Sequence, residues 1–245
     1  MKLVSIWLIN QCNYNCYYCP AKKWHQPIGF DYPNEDVVSR NRNDLLLPYM
    51  DRYLDPDEWI VELTGGEPGL YPEMDALIPE LDRRGYHGVI KTNGSLPIPK
   101  PERLQRIAAW HRGKPIPVYY DTILIIKNPD DDWEDKVEYC EEHEIPHRTC
   151  MFNTEYRGRQ EGSLTDHREL KIAEVMYVNA FGQISRCWKD PCRDDICIRN
   201  MSPPRTMGLT GSCGKCVNAF AVQTFLPPEA MGMIERDRGG GNDEA

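Results

Sequence analysis

Nothing in the sequence approaches the run of about 18 apolar residues that a membrane-spanning helix needs. No basic segment followed by an apolar one precedes the polar stretch NQCNYNC at residues 10–16, so no secretory signal is visible. These absences lead to the expectation of a cytoplasmic protein with no membrane partner. An excess of positive charge is also missing: 29 Lys and Arg stand against 38 Asp and Glu, a net charge of −9. No Lys/Arg block stands out, and an acidic surface repels phosphate backbones and anionic lipid, which argues against nucleic acid as a partner. No internal repeat is visible beyond an alternation of strand and helix patterns. What the sequence does not lack is cysteine, with ten residues. In a chain without a signal segment that count points to metal or redox chemistry rather than to disulfides.

Residues 3–9 are almost continuously apolar, as a strand covered on both faces requires. Comparable runs occur in EWIVEL (58–63), HGVIKTN (87–93), IPVYYDTILII (116–126) and HRTCMF (147–152). Their spacing, roughly thirty residues, is that of a strand, a crossover helix and two loops. Met74, Leu77, Ile78 and Leu81 repeat at helical spacing with Gly85 as a stop, and PERLQRIAAWHR (101–112) reads as a second helix started by Pro101. A third helix is expected over 131–144, with Trp133, Val137 and Cys140 on one face. Alternating strands and helices imply a parallel sheet with right-handed crossovers. Only five or six such strands fit before residue 178, too few for a closed eight-stranded barrel. The expected fold class is α/β, an open partial (β/α)6-type TIM barrel over 1–170. A small C-terminal β-hairpin and cysteine-rich domain follows over 171–234, and a glycine-rich polar tail over 235–245. The hairpin is read from VMYVNAFGQISRC (175–187), turning through Asn179 to Gly182. Cys140 is expected in the core.

Cys12, Cys16 and Cys19 form a C-x3-C-x2-C set just after the first strand, on the carboxyl-end face where parallel barrels carry their active sites. Structural zinc normally takes four ligands, and His25 is the one further Cys or His at zinc-finger distance; free core thiols and zinc remain rivals to an iron–sulfur cluster. Farther along, LTGGEPGLYP places Gly65, Gly66, Glu67 and Pro68 after the second strand, and KTNGSL places Asn93 after the next.

In these three motifs, in this order, the chain resembles the radical S-adenosylmethionine (SAM) enzymes, over about residues 3–150. The resemblance implies that Cys12, Cys16 and Cys19 hold a four-iron, four-sulfur cluster whose remaining iron chelates SAM. It implies reductive cleavage of SAM to a 5′-deoxyadenosyl radical and hydrogen abstraction from substrate. It further implies that Gly65, Gly66, Glu67 and Pro68 receive the methionine amino group, that Tyr18 contacts adenine, and that Asn93 on the active-site rim contacts SAM. A reductant such as flavodoxin or ferredoxin is expected.

Gly182 and Cys187 form a G-x4-C, and Cys213 and Cys216 a C-x2-C. These resemble the twitch and SPASM extensions of the same superfamily, which hold auxiliary clusters. Here the match is partial, because no cysteine lies 9 to 15 residues before Gly182. Cys192, Cys197, Cys150 or His167 is then the missing ligand, or the site stays open for substrate. Zinc held among Cys187, Cys192, Cys197, Cys213 and Cys216 is the rival reading. The expected substrate is a small polar metabolite that is oxidised or rearranged, with Lys91 or Arg148 near the barrel mouth to pair with an acidic group. With eleven residues before Cys12, no leader-binding domain is expected ahead of the cysteine loop, although a separate protein could supply one. Modification of a separate ribosomally made peptide, or of a nucleoside or RNA base, is the alternative.

Overall fold

The apolar run that opens the chain forms strand β1 (Lys2–Ile9), hydrogen-bonded on both sides to parallel neighbours. The computed structural model of the protein describes residues 2–14, 41–127, 132–151, 174–186 and 195–208. The other strands are β2 (Trp59–Gly65), β3 (His87–Thr92), β4 (Leu104–Ala109), β5 (Thr122–Lys127), β6 (His147–Met151), β7 (Glu174–Val178), β8 (Ile184–Ser185) and β9 (Met207–Gly208). They form one sheet in the order β6-β5-β4-β3-β2-β1-β7-β8, with β9 also on β7. Strands β1 to β7 are parallel to their neighbours, and β8 and β9 run antiparallel to β7. Sequential order from β1 to β6 is the winding of a barrel rather than of a doubly wound sheet, and right-handed crossovers then place the helices on one face.

That face carries the main core. Val4, Ile6 and Leu8 of β1, Val61 and Leu63 of β2 and Ile90 of β3 pack with helix α1 (Asn43–Tyr53) and helix α2 (Met74–Arg83). The expected residues Met74, Leu77, Ile78 and Leu81 are the buried face of α2. That helix closes with Tyr86 N–H bonding the Leu81 carbonyl at 3.1 Å and Gly85 N–H bonding that of Asp82 at 3.0 Å, a paired C-terminal capping motif. Helix α3 (Trp133–Glu142) packs Cys140 on Ile123 and Ile125 of β5, with Trp133 and Val137 partly buried alongside, as its spacing implied.

Two elements differ from the reading of the sequence. Residues 101–112 are not a helix: Leu104–Ala109 is β4, paired in parallel with β3 and β5. Pro97, Pro99 and Pro101 hold the preceding chain extended, and a strand with a ladder on each side satisfies more backbone than the local helix preference of Leu104, Ile107 and Ala108 supplies. Helix α1 was not foreseen; Leu46, Leu47, Tyr49 and Met50 are its buried residues although Pro48 lies inside it.

The hairpin forms where expected. Asn179 Oδ1 accepts from the N–H groups of Phe181 and Gln183 at 3.0 Å each, and Gly182 adopts φ +75°. β7 does not stand apart from the barrel strands, since it pairs along β1 from Lys2 to Ile6. Buried Asn41 clips the hairpin to the end of β1, donating to the carbonyls of Trp7 at 2.7 Å and Asn179 at 2.9 Å. Ile184 and Ile198 belong to the main core. The expected boundary at residue 170 and the tail from 235 lie outside the described residues.

Candidate functional site

Alternation along the strands puts a second, more polar set on the face away from the helices. Ser5 is paired in register with Glu62, and both are buried; Lys91 lies two residues beyond Val89, the register partner of Glu62, and forms an ion pair with it. Farther round, Gln105 Nε2 donates to Thr122 Oγ1 at 2.9 Å, while its own Oε1 is buried with no hydrogen-bond partner among the described residues. The inner face of the sheet therefore carries acid, base and amide groups inside an otherwise apolar wall.

Above it, at the carboxyl ends of β1, β2 and β3, three of the sequence motifs converge. The β1–β2 ladder continues past the strands: Gly66 N–H bonds the Ile9 carbonyl at 2.7 Å and Glu67 N–H the Gln11 carbonyl at 2.8 Å. This close approach explains the paired glycines. A Cβ on Gly65 would lie 2.4 Å from the Ile9 oxygen, and one on Gly66 2.1 Å from the Gln11 oxygen. The Gly-Gly pair thus seats the stem of the cysteine loop against the β2 turn. Pro68 is buried and begins the short 3-10 turn Pro68–Leu70.

Glu67 is fully buried and holds β2 to β3. Its Oε1 accepts from Thr92 Oγ1 at 2.6 Å and Gly69 N–H at 2.9 Å, and its Oε2 from Asn93 N–H at 2.7 Å. Burial pushes its carboxyl above the usual range, and these three bonds oppose that rise. Both oxygens are engaged by the chain's own donors.

Asn93 follows β3 and reaches the cysteine loop. Its Nδ2 donates to Asn13 Oδ1 at 2.8 Å and lies 3.6 Å from Cys12 Sγ, and its Oδ1 accepts from Ser95 N–H at 2.9 Å and from the Ser95 hydroxyl. Asn13 Nδ2 in turn donates to Ser95 Oγ at 2.8 Å. Tyr14 N–H also points at Cys12 Sγ, at 3.4 Å. On the loop's other side, the ring of Tyr14 meets His111 edge-on at 5.4 Å and Lys114 Nζ at 4.5 Å, both from the β4–β5 loop. Burial, helped by Lys136 and Lys114, depresses His111 to about 4, so its ring is neutral near pH 7.

Of the residues singled out in the sequence, Cys12, Gly65, Gly66, Glu67, Pro68 and Asn93 are brought together. Cys16, Tyr18, Cys19, His25, His167, Cys187, Cys192, Cys213 and Cys216 lie outside the described residues. Cys150 lies in β6. Cys197 is buried, bridges backbone to Gln183, and its N–H donates to Ser202 Oγ at 3.2 Å. Among the described residues no group of three or more His, Cys, Asp and Glu is placed to hold a metal. Thr92, Asn13, Ser95 and Glu62 had no sequence signal beyond their nearness to quoted motifs.

The sheet winding defines a parallel partial barrel in which Cys12 and the Gly65–Glu67 turn meet at the strand carboxyl ends. The chain belongs to the Radical SAM superfamily, whose model matches residues 8–154. Membership implies a four-iron, four-sulfur cluster and SAM binding. Cys12 fits a cluster ligand: it is in no disulfide, and two N–H groups face its sulfur, an environment that favours thiolate. The S-adenosyl-L-methionine-dependent tRNA 4-demethylwyosine synthase of Pyrococcus horikoshii is 27% identical over 256 residues, covering 92% of this chain and 72% of its own. The 7-carboxy-7-deazaguanine synthase of Methanothermobacter thermautotrophicus is 32% identical over 89 residues, 35% of this chain and 31% of its own. SuiB of Streptococcus suis, solved bound to S-adenosylmethionine, aligns with a TM-score of 0.48 at 12% identity over 76% of this chain and 60% of that chain. No helix among the described residues is long and apolar enough to cross a membrane.

Proposed function

We propose that the protein cleaves SAM reductively and abstracts hydrogen from a small polar metabolite, leading to its oxidation or rearrangement. Superfamily membership supports the radical chemistry; the observation that carries the substrate class is the inner-face set of Glu62, Lys91, Gln105 and Thr122 below the cysteine loop. A few polar groups in an apolar cavity are what orients a small polar ligand. In this reading Cys12, Cys16 and Cys19 hold the cluster, and Tyr18 and the Gly65–Pro68 turn bound SAM. Glu67 fixes the turn from beneath, through Thr92 and Asn93, rather than touching SAM. The cluster and SAM, when bound, supply the 5′-deoxyadenosyl radical. Lys91 and Glu62 supply opposite charges to orient substrate. An auxiliary cluster is held from among Cys187, Cys192, Cys197, Cys213 and Cys216, and a one-electron donor such as flavodoxin or ferredoxin reduces the first cluster.

A second reading, modification of an RNA base, is favoured by one observation: a relative named as a tRNA-modifying synthase aligns with 92% of this chain. The experiment that separates them is deuterium transfer into 5′-deoxyadenosine. Reduced, reconstituted protein is incubated with SAM and either a deuterated metabolite extract or deuterated tRNA. The first reading expects label from the metabolites alone; label that appears only with tRNA would overturn it in favour of the second.

A further inference from the structure

We propose that Asn93 is a positioning residue for the cluster itself: its side-chain amide donates to the sulfur of Cys12 and thereby raises the cluster's reduction potential. The inference rests on the superfamily reading that Cys12 ligates the cluster.

The orientation of the amide is set by its surroundings. Asn93 N–H is held by Glu67 Oε2 at 2.7 Å, which fixes the residue at the end of β3. Its Oδ1 faces the Ser95 N–H at 2.9 Å; the reversed amide would set donor against donor there. Nδ2 must then face Asn13 and Cys12. Its two hydrogens have two acceptors, Asn13 Oδ1 at 2.8 Å and Cys12 Sγ at 3.6 Å. Tyr14 N–H at 3.4 Å supplies a donor to the same sulfur from the backbone. The sulfur of Cys12 is thus the meeting point of the loop's own backbone and a side chain from a different strand, 81 residues away in sequence.

The electrochemical consequence follows from charge. One-electron reduction adds a negative charge that is shared with the cysteine sulfurs, and it makes or breaks no bond and takes up no proton. A donor on a ligand sulfur stabilises the reduced form more than the oxidised form, which raises the potential. Since the electron comes from an external one-electron donor, Asn93 governs how readily that donor loads the cluster.

The test is a redox titration of the reconstituted first cluster followed by electron paramagnetic resonance, on wild type, Asn93→Ala and Asn13→Ala. Asn13→Ala removes the loop-side partner of Asn93 but leaves the amide facing Cys12. We expect the reduced-to-oxidised ratio at fixed potential to fall about tenfold in Asn93→Ala, a shift of about 59 mV for one electron. Asn13→Ala is expected to shift by less than a third of that. An unshifted Asn93→Ala overturns the proposal, as do equal shifts in both variants, which would mean loop displacement alone. Should Asn93→Ala hold too little iron to titrate, wild type carrying asparagine labelled with 15N only at the side-chain amide decides. A nitrogen coupling to the reduced cluster supports the bond, and its absence overturns it. Wild-type protein that binds no iron at all would overturn the cluster assignment and the proposal with it, whereas a loaded cluster with an unshifted potential overturns the proposal alone.

Discussion

The two faces of the sheet are built from the same strands and serve opposite ends. On the helix side Val4, Ile6, Val61, Leu63 and Ile90 meet the apolar stripes of α1 and α2. On the inner side Ser5, Glu62 and Lys91 alternate with apolar residues such as Leu3, Ile60 and Val89. Hydrophobic burial makes the first face a source of stability. A partly buried ion pair seldom adds stability beyond what apolar residues of similar volume would give, so the second face carries charge where the first carries packing.

Both faces end at one seam, where the Gly65–Gly66 turn meets the cysteine-loop stem. Gly66→Ala puts a methyl group 2.1 Å from the Gln11 carbonyl oxygen, backbone against backbone. The stem of the cysteine loop must move, and we expect iron content after reconstitution to fall to about half, the auxiliary cluster keeping its share. Next in size is Lys91→Met, which removes the cation facing buried Glu62 and should cost about 3–5 kcal/mol in denaturant unfolding. The double variant Glu62→Leu with Lys91→Met should recover most of that stability yet lose substrate turnover, which sharpens the contrast between the faces. On the helix side Leu63→Ala, fully buried, should cost about 2–5 kcal/mol, with SAM cleavage per folded, iron-loaded molecule unchanged.

The smallest expected effect concerns pH. His111 has its folded value depressed from 6.5 to about 4, so the folded state binds fewer protons than the unfolded chain in that window. Its contribution to stability is complete above pH 6.5 and is lost as pH falls from 6.5 toward 4. Thermal unfolding of His111→Gln should show a shallower loss between those values than wild type; identical slopes would contradict the neutral ring.

The faces also differ in how legible they were. The stripe of Met74, Leu77, Ile78 and Leu81 on α2 and the turn from Asn179 to Gly182 follow local rules of spacing and turn chemistry, and both formed as read. The segment 101–112 carried the same kind of local signal and became β4, because the ladders to β3 and β5 are long-range terms that spacing does not contain. α1 escaped notice because Pro48 interrupts its pattern, although its ring does not prevent Tyr49 and Met50 from being buried. In the site, the motifs located Cys12, Gly65, Gly66, Glu67 and Asn93, since each is a short contiguous signal. The hydrogen-bond partners of Glu67 and Asn93 were not legible. They include Thr92, Asn13 and Ser95, which only the adjacency of β1, β2 and β3 brings within reach.

The most direct test of the account is SAM cleavage by the anaerobically reconstituted protein with dithionite as reductant, compared with Cys16→Ala. Wild type is expected to release methionine and 5′-deoxyadenosine, and Cys16→Ala neither. Equal turnover in the variant, or no cleavage by iron-loaded wild type, would contradict it.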